Sequence, residues 1–168
     1  MGFSISPPSG RGWLEKLNKE SLYYLKNTRT GDYSIYTKAT EIYIAEATMD
    51  AGEFLQFVQK AKEVPAGAGN YRNISTTYSP DTELSPLCVR YSQRYEDHGE
   101  KNLGPNEFIK VWRNGLMCMH PEALSYGVDM FYVESFVHSR ASGHPSYREE
   151  GESFLGSLKF HAVGRRRG

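Results

Sequence analysis

Long hydrophobic runs are missing from this chain of 168 residues. Nowhere do about 18 apolar residues follow one another, so no helix that spans a bilayer is predicted. The opening stretch, MGFSISPPSGRGW, lacks the basic start and the apolar run of a secretory signal peptide. Its proline, serine and glycine content predicts a flexible leader over residues 1–12. Such a leader fits a mature domain whose export signal has been removed, and it fits an ordinary disordered start equally well.

An excess of charge of one sign is also absent, because 20 Lys and Arg residues balance 20 Asp and Glu residues. No global field therefore draws the chain to nucleic acid or to an anionic membrane. The local exception is GRRRG at residues 164–168, which we interpret as a solvated basic tail. The alternative is a cytosolic interaction module whose tail contacts nucleic acid.

Recognisable catalytic motifs are missing as well. There is no GxSxG nucleophile elbow, no HExxH zinc helix, and no Lys-Ser or Lys-Thr pair after a glycine-rich loop. The 5 histidines are scattered without the spacing of metal ligands. We therefore predict no catalytic residues, no cofactor and no metal ion, and we favour a non-enzymatic function over an enzyme.

Aromatic residues, by contrast, are plentiful, and the 12 tyrosines and 8 phenylalanines favour strands. Turn-prone segments separate β-rich runs, which are SLYYLKN, DYSIYTKA, EIYIAEA, NISTTY, LCVRYSQRYED, EFIKVW, GLMCM and GVDMFYVESFV. Connections of about ten residues favour an antiparallel meander over parallel βαβ units. We predict one α+β domain over residues 13–163. Its single, meander-like antiparallel sheet packs against one main helix and a C-terminal apolar segment, SFLGSLKFHAV.

One helix is clearly predicted, at about residues 51–64. Asp50 and Glu53 have the spacing of a capping box, in which each side chain accepts a backbone N–H at the start of a helix. An apolar stripe follows at helical spacing, formed by Phe54, Phe57, Val58 and Ala61. Pro65 ends the pattern. GWLEKLNKESLYYL fits a strand or a helix, with strands favoured, and the polar stretch HSRASGHPSYREEGE predicts a long loop.

The only 2 cysteines, Cys88 and Cys118, each lie within a predicted strand. If those strands are neighbours, or meet across the core, the Cβ atoms can approach to about 4 Å and form a disulfide. A disulfide would imply an oxidising compartment. The alternative is two buried free thiols in a cytosolic protein, and we favour the disulfide. Nothing indicates a reactive thiol, since there is no CxxC pair.

The stretch MCMH has soft donors that suit copper(I). In a strand, however, Met117 and Met119 point one way while Cys118 and His120 point the other, which leaves at most two donors on a face. We therefore interpret the methionines as core residues. His120 then marks the end of the strand, because Pro121 follows it.

Polar side chains on CVRYSQRYED raise the question of a ligand site. Arg90 and Arg94 fall on one face of this strand, and a solvated or ion-paired face is the ordinary interpretation. The alternative hypothesis is a small-ligand-binding protein or an enzyme. In it Arg90, Arg94, His120 and Glu134 line a pocket, where the arginines bind an anionic group.

Several motifs between about residues 70 and 160 resemble one family. They are CVRY at 88–91, the G-x-x-C-x-HP pattern at 115–121, and FLGSLKF at 154–160. In this order they resemble small proteobacterial envelope lipoproteins of uncharacterised function. The resemblance supplies no reaction, and it supports a disulfide between Cys88 and Cys118.

The resemblance implies a non-enzymatic protein of the periplasm or the outer membrane. The chain has no lipidated cysteine of that family, so this location depends on its being a mature fragment. We expect it to bind an envelope protein or a small ligand through an aromatic, arginine-bearing sheet face. No nucleic acid is expected as a partner, and membrane contact is expected only through a lipid anchor that this sequence lacks.

Overall fold

A computed structural model of the chain describes residues 2–18, 21–44, 49–65, 70–143 and 146–162. The strands are β1 Phe3–Ser4, β2 Trp13–Asn18, β3 Ser21–Lys26, β4 Tyr33–Tyr43, β5 Tyr71–Pro80, β6 Cys88–Asp97, β7 Ile109–His120, β8 Ala123–Val137 and β9 Lys159–Phe160. The helices are α1 Ala51–Ala61, the 3-10 helix His138–Gly143, and α2 Arg148–Leu155. No helix within these ranges is both long enough and apolar enough to cross a membrane.

The main sheet has seven strands in the order β2-β3-β4-β8-β7-β6-β5, and every neighbouring pair is antiparallel. The antiparallel α+β prediction is therefore confirmed. The prediction of a single meander was only partly right. The sheet consists of two meanders, β2-β3-β4 and β5-β6-β7-β8, which are joined by the pairing of β4 with β8. Between β4 and β5 the chain runs to the far edge of the sheet and forms α1 on the way.

Both faces of the sheet centre are covered. α1 packs against β5 and β6 on one face, which we call the α1 face, and α2 packs against β8 and β4 on the opposite face, which we call the α2 face. Each face has its own core, centred on Phe131 and Val133 for the α1 face and on Met130 and Tyr132 for the α2 face. Because side chains alternate along a strand, β8 contributes to both cores.

The helix α1 forms as its sequence predicts. Asp50 Oδ1 accepts the Glu53 backbone N–H at 2.8 Å, and Glu53 Oε2 accepts the Asp50 N–H at 3.1 Å, which confirms the capping box. Phe54 and Val58 of the apolar stripe are buried against the sheet. The helix ends at Ala61, earlier than predicted, and the buried Lys62 side chain pairs with the carboxylate of Asp129.

The second helix and the second sheet were not predicted. α2 begins in the expected long loop and ends in the predicted C-terminal apolar segment, and it packs so closely on the sheet that a Cβ added to Gly151 would lie 2.6 Å from Cγ of Tyr132. Phe154 and Leu155 then enter the core. β9, in the predicted C-terminal apolar segment, pairs with β1 to form a two-stranded sheet.

The first residues of the chain make contacts that the expectation of a flexible leader did not include. Besides the β1–β9 pairing, Ser6 N donates to Oγ of Ser157 at 3.0 Å, and Ser9 N donates to Oγ of Ser153 at 2.9 Å. Residues 2–12 thus lie along α2 and the segment after it. The predicted basic tail at residues 164–168 lies outside the described residues.

Candidate functional site

The α2 face is covered only in part, and a cavity opens in the uncovered part. Among the described residues, α2 lies over β8 and β4, whereas Thr77 and Ser79 of β5 and Arg94 of β6 are exposed on this face. A cavity of 210 Å³ lies there, lined by Thr77, Ser79, Arg90, Tyr91, Ser92, Asn114 and Glu152.

Strand register brings the polar residues of this cavity together. Ser92 lies opposite Thr77 on one side and opposite Asn114 on the other. Residues directly opposite one another point to the same face, so these side chains form a polar row across three strands. Ser79 and Arg90 form the next row. No side-chain hydrogen bond joins Thr77, Ser92 or Asn114 to another described residue, which leaves these groups to solvent or to a ligand.

Arg90 is held at the cavity by a carboxylate. Its Nη2 donates to Asp81 Oδ2 at 3.1 Å, and its Nη1 lies 3.8 Å from Oε2 of Glu152. Glu152 is itself fixed by Tyr132, whose hydroxyl donates to Oε1 at 2.7 Å. A guanidinium has five N–H donors, so Arg90 keeps donors for another group. Two carboxylates offset its charge, and the wall therefore offers both donors and acceptors rather than a strongly cationic surface.

Arg94 lies on the same face but outside the cavity lining. Its guanidinium carbon lies 5.5 Å from the centre of the Trp112 ring, and that of Arg148 lies 4.5 Å from the same ring. Phe136 packs edge-on against this ring, at a centroid distance of 5.0 Å. Arg94 therefore belongs to an arginine–tryptophan stack.

Glu134 is almost completely buried, at 2% relative exposure, and its oxygens are occupied by other side chains. The Tyr33 hydroxyl donates to Oε1 at 2.7 Å, and Nη2 of Arg148 donates to Oε2 at 3.1 Å. Ser146 adds a third donor, at 3.2 Å. Burial, together with the hydrogen bond to Glu134, raises the pKa of the Tyr33 hydroxyl above its ordinary value. Through Ser146 and Arg148, the Glu134 carboxylate holds the start of α2 against the sheet.

His120 closes the end of β7. It is 2% exposed, its Nε2 lies 2.8 Å from the backbone oxygen of His161, and its Nδ1 accepts the Glu122 N–H at 3.0 Å. Because Nδ1 accepts, Nε2 carries the proton and donates a hydrogen bond to the backbone oxygen of His161. Cys118 belongs to the core of the α2 face while Met117 and Met119 belong to that of the α1 face, which confirms the predicted alternation.

The structure thus places the predicted ligand residues on one face but at different positions. Arg90 lines the cavity, Arg94 and Glu134 meet the cluster around Trp112 and Arg148, and His120 packs against Phe160 of β9. Within the described ranges, no three His, Cys, Asp or Glu side chains are grouped as a metal site.

Cys88 and Cys118 lie directly opposite each other on β6 and β7, with Cα atoms 4.0 Å apart and sulfur atoms at disulfide distance. The adjacent pair is hydrogen-bonded, since Met119 N donates to Leu87 O at 2.8 Å. The cysteines therefore occupy a non-hydrogen-bonded pair, where opposite side chains approach most closely.

Sequence reasoning missed a polar cluster beneath α1. Lys62 pairs with Asp129, and the Tyr91 hydroxyl donates to the same carboxylate at 3.1 Å. Burial lowers the pKa of Lys62, although Asp129 acts in the opposite direction, and burial raises the pKa of Tyr91. The sequence carries no signal for this cluster, because its members come from three separate elements. The polar row of the cavity could have been found by alternation along β5, β6 and β7 only with the strand register known.

No family model matches this chain, and no curated protein matches it. The resemblance to envelope lipoproteins therefore stays a prediction.

Proposed function

We propose that the protein is a non-enzymatic binding protein that holds a small polar molecule in the cavity beside α2. The observation that carries the proposal is the polar row of Thr77, Ser92 and Asn114, whose side chains have no hydrogen-bond partner among the described residues and lie next to the fixed Arg90. A few polar groups that converge in a concave site are typical of ligand recognition.

The size and chemistry of the cavity limit the ligand class. Its volume of 210 Å³ is below the range of about 300–1,000 Å³ that drug-sized ligands occupy, so it fits a single sugar or a single amino acid. Hydroxyl and amide groups both donate and accept, Arg90 donates, and Glu152 accepts. A hydroxyl-rich or zwitterionic molecule matches this mixture better than a multiply charged anion.

Binding is favoured over catalysis by the state of the ionisable side chains at the cavity. Arg90 stays cationic beside Asp81 and can only donate, Oε1 of Glu152 accepts from Tyr132, and the Tyr91 hydroxyl is bonded to Asp129 on the other face. A general acid or base must reach the reacting atom with a free proton or lone pair. These groups are better placed to orient a ligand.

Calorimetric titration of the full chain with free monosaccharides and free amino acids tests the proposal. We expect one of these classes to bind. Thr77→Val, which keeps the shape and removes the hydroxyl, should weaken that binding by about two- to tenfold, the effect of one hydrogen bond. The matched control is Thr76→Val, the neighbouring residue on the opposite face, which should leave affinity unchanged. Failure of both classes to bind, or equal effects of the two variants, would refute the proposal.

We further propose that Cys88 and Cys118 are bonded in the native protein and that it works in the periplasm or outer membrane. The support is their opposition on adjacent strands and the resemblance to envelope lipoproteins. Alkylation of protein purified without reductant and then denatured should find no free thiol. Two alkylated cysteines would contradict both the bond and the oxidising compartment.

A further inference from the structure

β5 forms an edge of the main sheet, and no described strand pairs with its outer side. Edge strands commonly carry charges that prevent pairing with other chains, and the opposite edge, β2, has Glu15 and Lys16 near its middle. β5 differs, because it has no charged residue from Asn73 to Pro80. The register of β5 against β6 shifts between Arg72 and Ser75, and Pro80 ends the strand, so the segment between them is the part of this edge that can pair with another strand.

The outward-facing backbone groups of β5 can be assigned from one hydrogen bond. Asp81 N donates to Cys88 O at 2.9 Å, so this pair is hydrogen-bonded. Hydrogen-bonded pairs alternate along an antiparallel ladder, and the N–H and C=O groups of Thr76 and Tyr78 therefore point away from β6. Pro80 occupies the next outward position, where a missing N–H costs no bond within the sheet.

The open segment is self-complementary when two copies run antiparallel about Thr76. Thr76 then lies opposite its own copy, and Ile74 lies opposite Tyr78 of the partner subunit. Ile74, Thr76 and Tyr78 are each half-buried on the α1 face, so the pairing adds two aromatic–β-branched contacts to that face. Arg72 and Asp81 flank the uncharged segment with opposite signs, so antiparallel pairing directs the positive flank of each copy toward the negative flank of the other.

We propose that two copies of the chain associate through β5, antiparallel and with Thr76 on the two-fold axis, into one continuous sheet. About six backbone hydrogen bonds join the strands in this register, two for each opposed pair. On the α2 face, Ser75 of the partner subunit lies beside Thr77, which lines the cavity. The two cavities therefore adjoin across the axis, although the dimer does not depend on ligand binding.

Sedimentation of the full chain over a range of concentrations tests the dimer, which we expect at micromolar concentration. Thr76→Lys places two ammonium groups opposite each other and should weaken association by roughly fivefold or more. Thr76→Glu should do the same. An equimolar mixture of these two variants should dimerise again, because the axis then pairs opposite charges. Thr76→Val, which keeps the backbone donor and the β-branched shape, is the matched control and should remain a dimer.

Thr76→Pro gives a second route that introduces no charge. It removes an outward N–H that the sheet does not use, so near-ultraviolet circular dichroism should be kept while the dimer is lost. A monomer at all concentrations would overturn the proposal. So would a dimer that Thr76→Lys leaves intact, or a mixture of the Lys and Glu variants that stays monomeric.

Discussion

At the scale of single residues, Gly115 of β7 allows the Tyr91 ring to pack closely against this strand on the α1 face. A Cβ at this position would lie 2.5 Å from Cζ of Tyr91 and 2.7 Å from the backbone oxygen of Met130. The glycine therefore lets the Tyr91 ring lie across β7 and reach the carboxylate of Asp129. Two neighbours, one of them backbone, would have to move to admit a methyl group.

Gly115→Ala should lower the free energy of unfolding by about 1–3 kcal/mol, because it overpacks a buried site. Urea denaturation measures the change. Gly31→Ala is the control, since nothing lies within 4 Å of the added atom, and it should stay within about 0.5 kcal/mol of the parent. Equal stability of the two variants would show that Tyr91 moves aside freely.

Single residues also mark the limit of prediction from the sequence at this scale. Alternation assigned Met117 and Cys118 to opposite faces correctly, because the period of a strand is a local property. It did not reveal that Arg90 meets Asp81 or that Glu134 meets Arg148. Those contacts depend on turns and on a helix that brings distant segments together.

At the scale of elements, the paired cysteines join β6 to β7. Their separation of 30 residues closes a loop in the unfolded chain, and the loss of its entropy stabilises the fold in the chain-entropy model. A one-residue shift of β6 along β7 would turn every side chain of that strand to the other face. A bond between Cys88 and Cys118 excludes that shift.

The double variant Cys88→Ala, Cys118→Ala should lower the free energy of unfolding by about 3.5–4 kcal/mol, measured in urea without reductant. Reductant should lower the stability of the parent by a similar amount and should leave the double variant unchanged. A parent protein that is insensitive to reductant under conditions that break the bond would contradict this prediction.

The elements differ in how far local sequence specifies them. α1 was predicted because its cap, its apolar stripe and the following proline all lie within one short segment. α2 was missed because it begins after Tyr147, which makes no capping hydrogen bond, in a polar stretch. β7 was predicted as two runs, EFIKVW and GLMCM, yet it is one strand, because Arg113 and Asn114 between them pair with Val133 and Tyr132 of β8. Tertiary contacts supply what these segments lack locally.

At the scale of the whole molecule, the pairing of β4 with β8 creates the sheet and could not be predicted from the sequence. These strands are separated by most of the second meander, and several strand orders satisfy the same alternation of polar and apolar residues. In this sheet, tyrosines are buried on both faces. Tyr91 lies on one face, and Tyr132 lies on the other.

This burial predicts alkaline unfolding. Burial raises the pKa of Tyr91 and of Tyr132 above the ordinary value of 10.0, so above about pH 10 the folded state binds more protons than the unfolded state. Stability that is fully present below pH 10 should therefore fall as pH rises beyond it. Tyrosinate absorbance measures the ionisation, and near-ultraviolet circular dichroism measures the loss of structure. We expect part of the ionisation to occur over the same pH range as the loss of structure.

Tyr91→Phe removes one buried hydroxyl and should make stability less steeply dependent on pH above pH 10. Tyr126→Phe, at a side chain that is 60% exposed, is the control and should leave the slope unchanged. If all tyrosines ionised while the near-ultraviolet signal persisted, the buried hydroxyls would not be coupled to folding.

The double coverage of β8 has a consequence for how this protein can change. From Gly127 to Val137 nearly every residue of β8 is buried, so a substitution there disturbs one core or the other. Toward β5 and β6 one face meets water, and side chains can be exchanged at little cost to folding. New specificities can therefore evolve, or be designed, at the open side of the sheet while its middle keeps the sequence that maintains the fold.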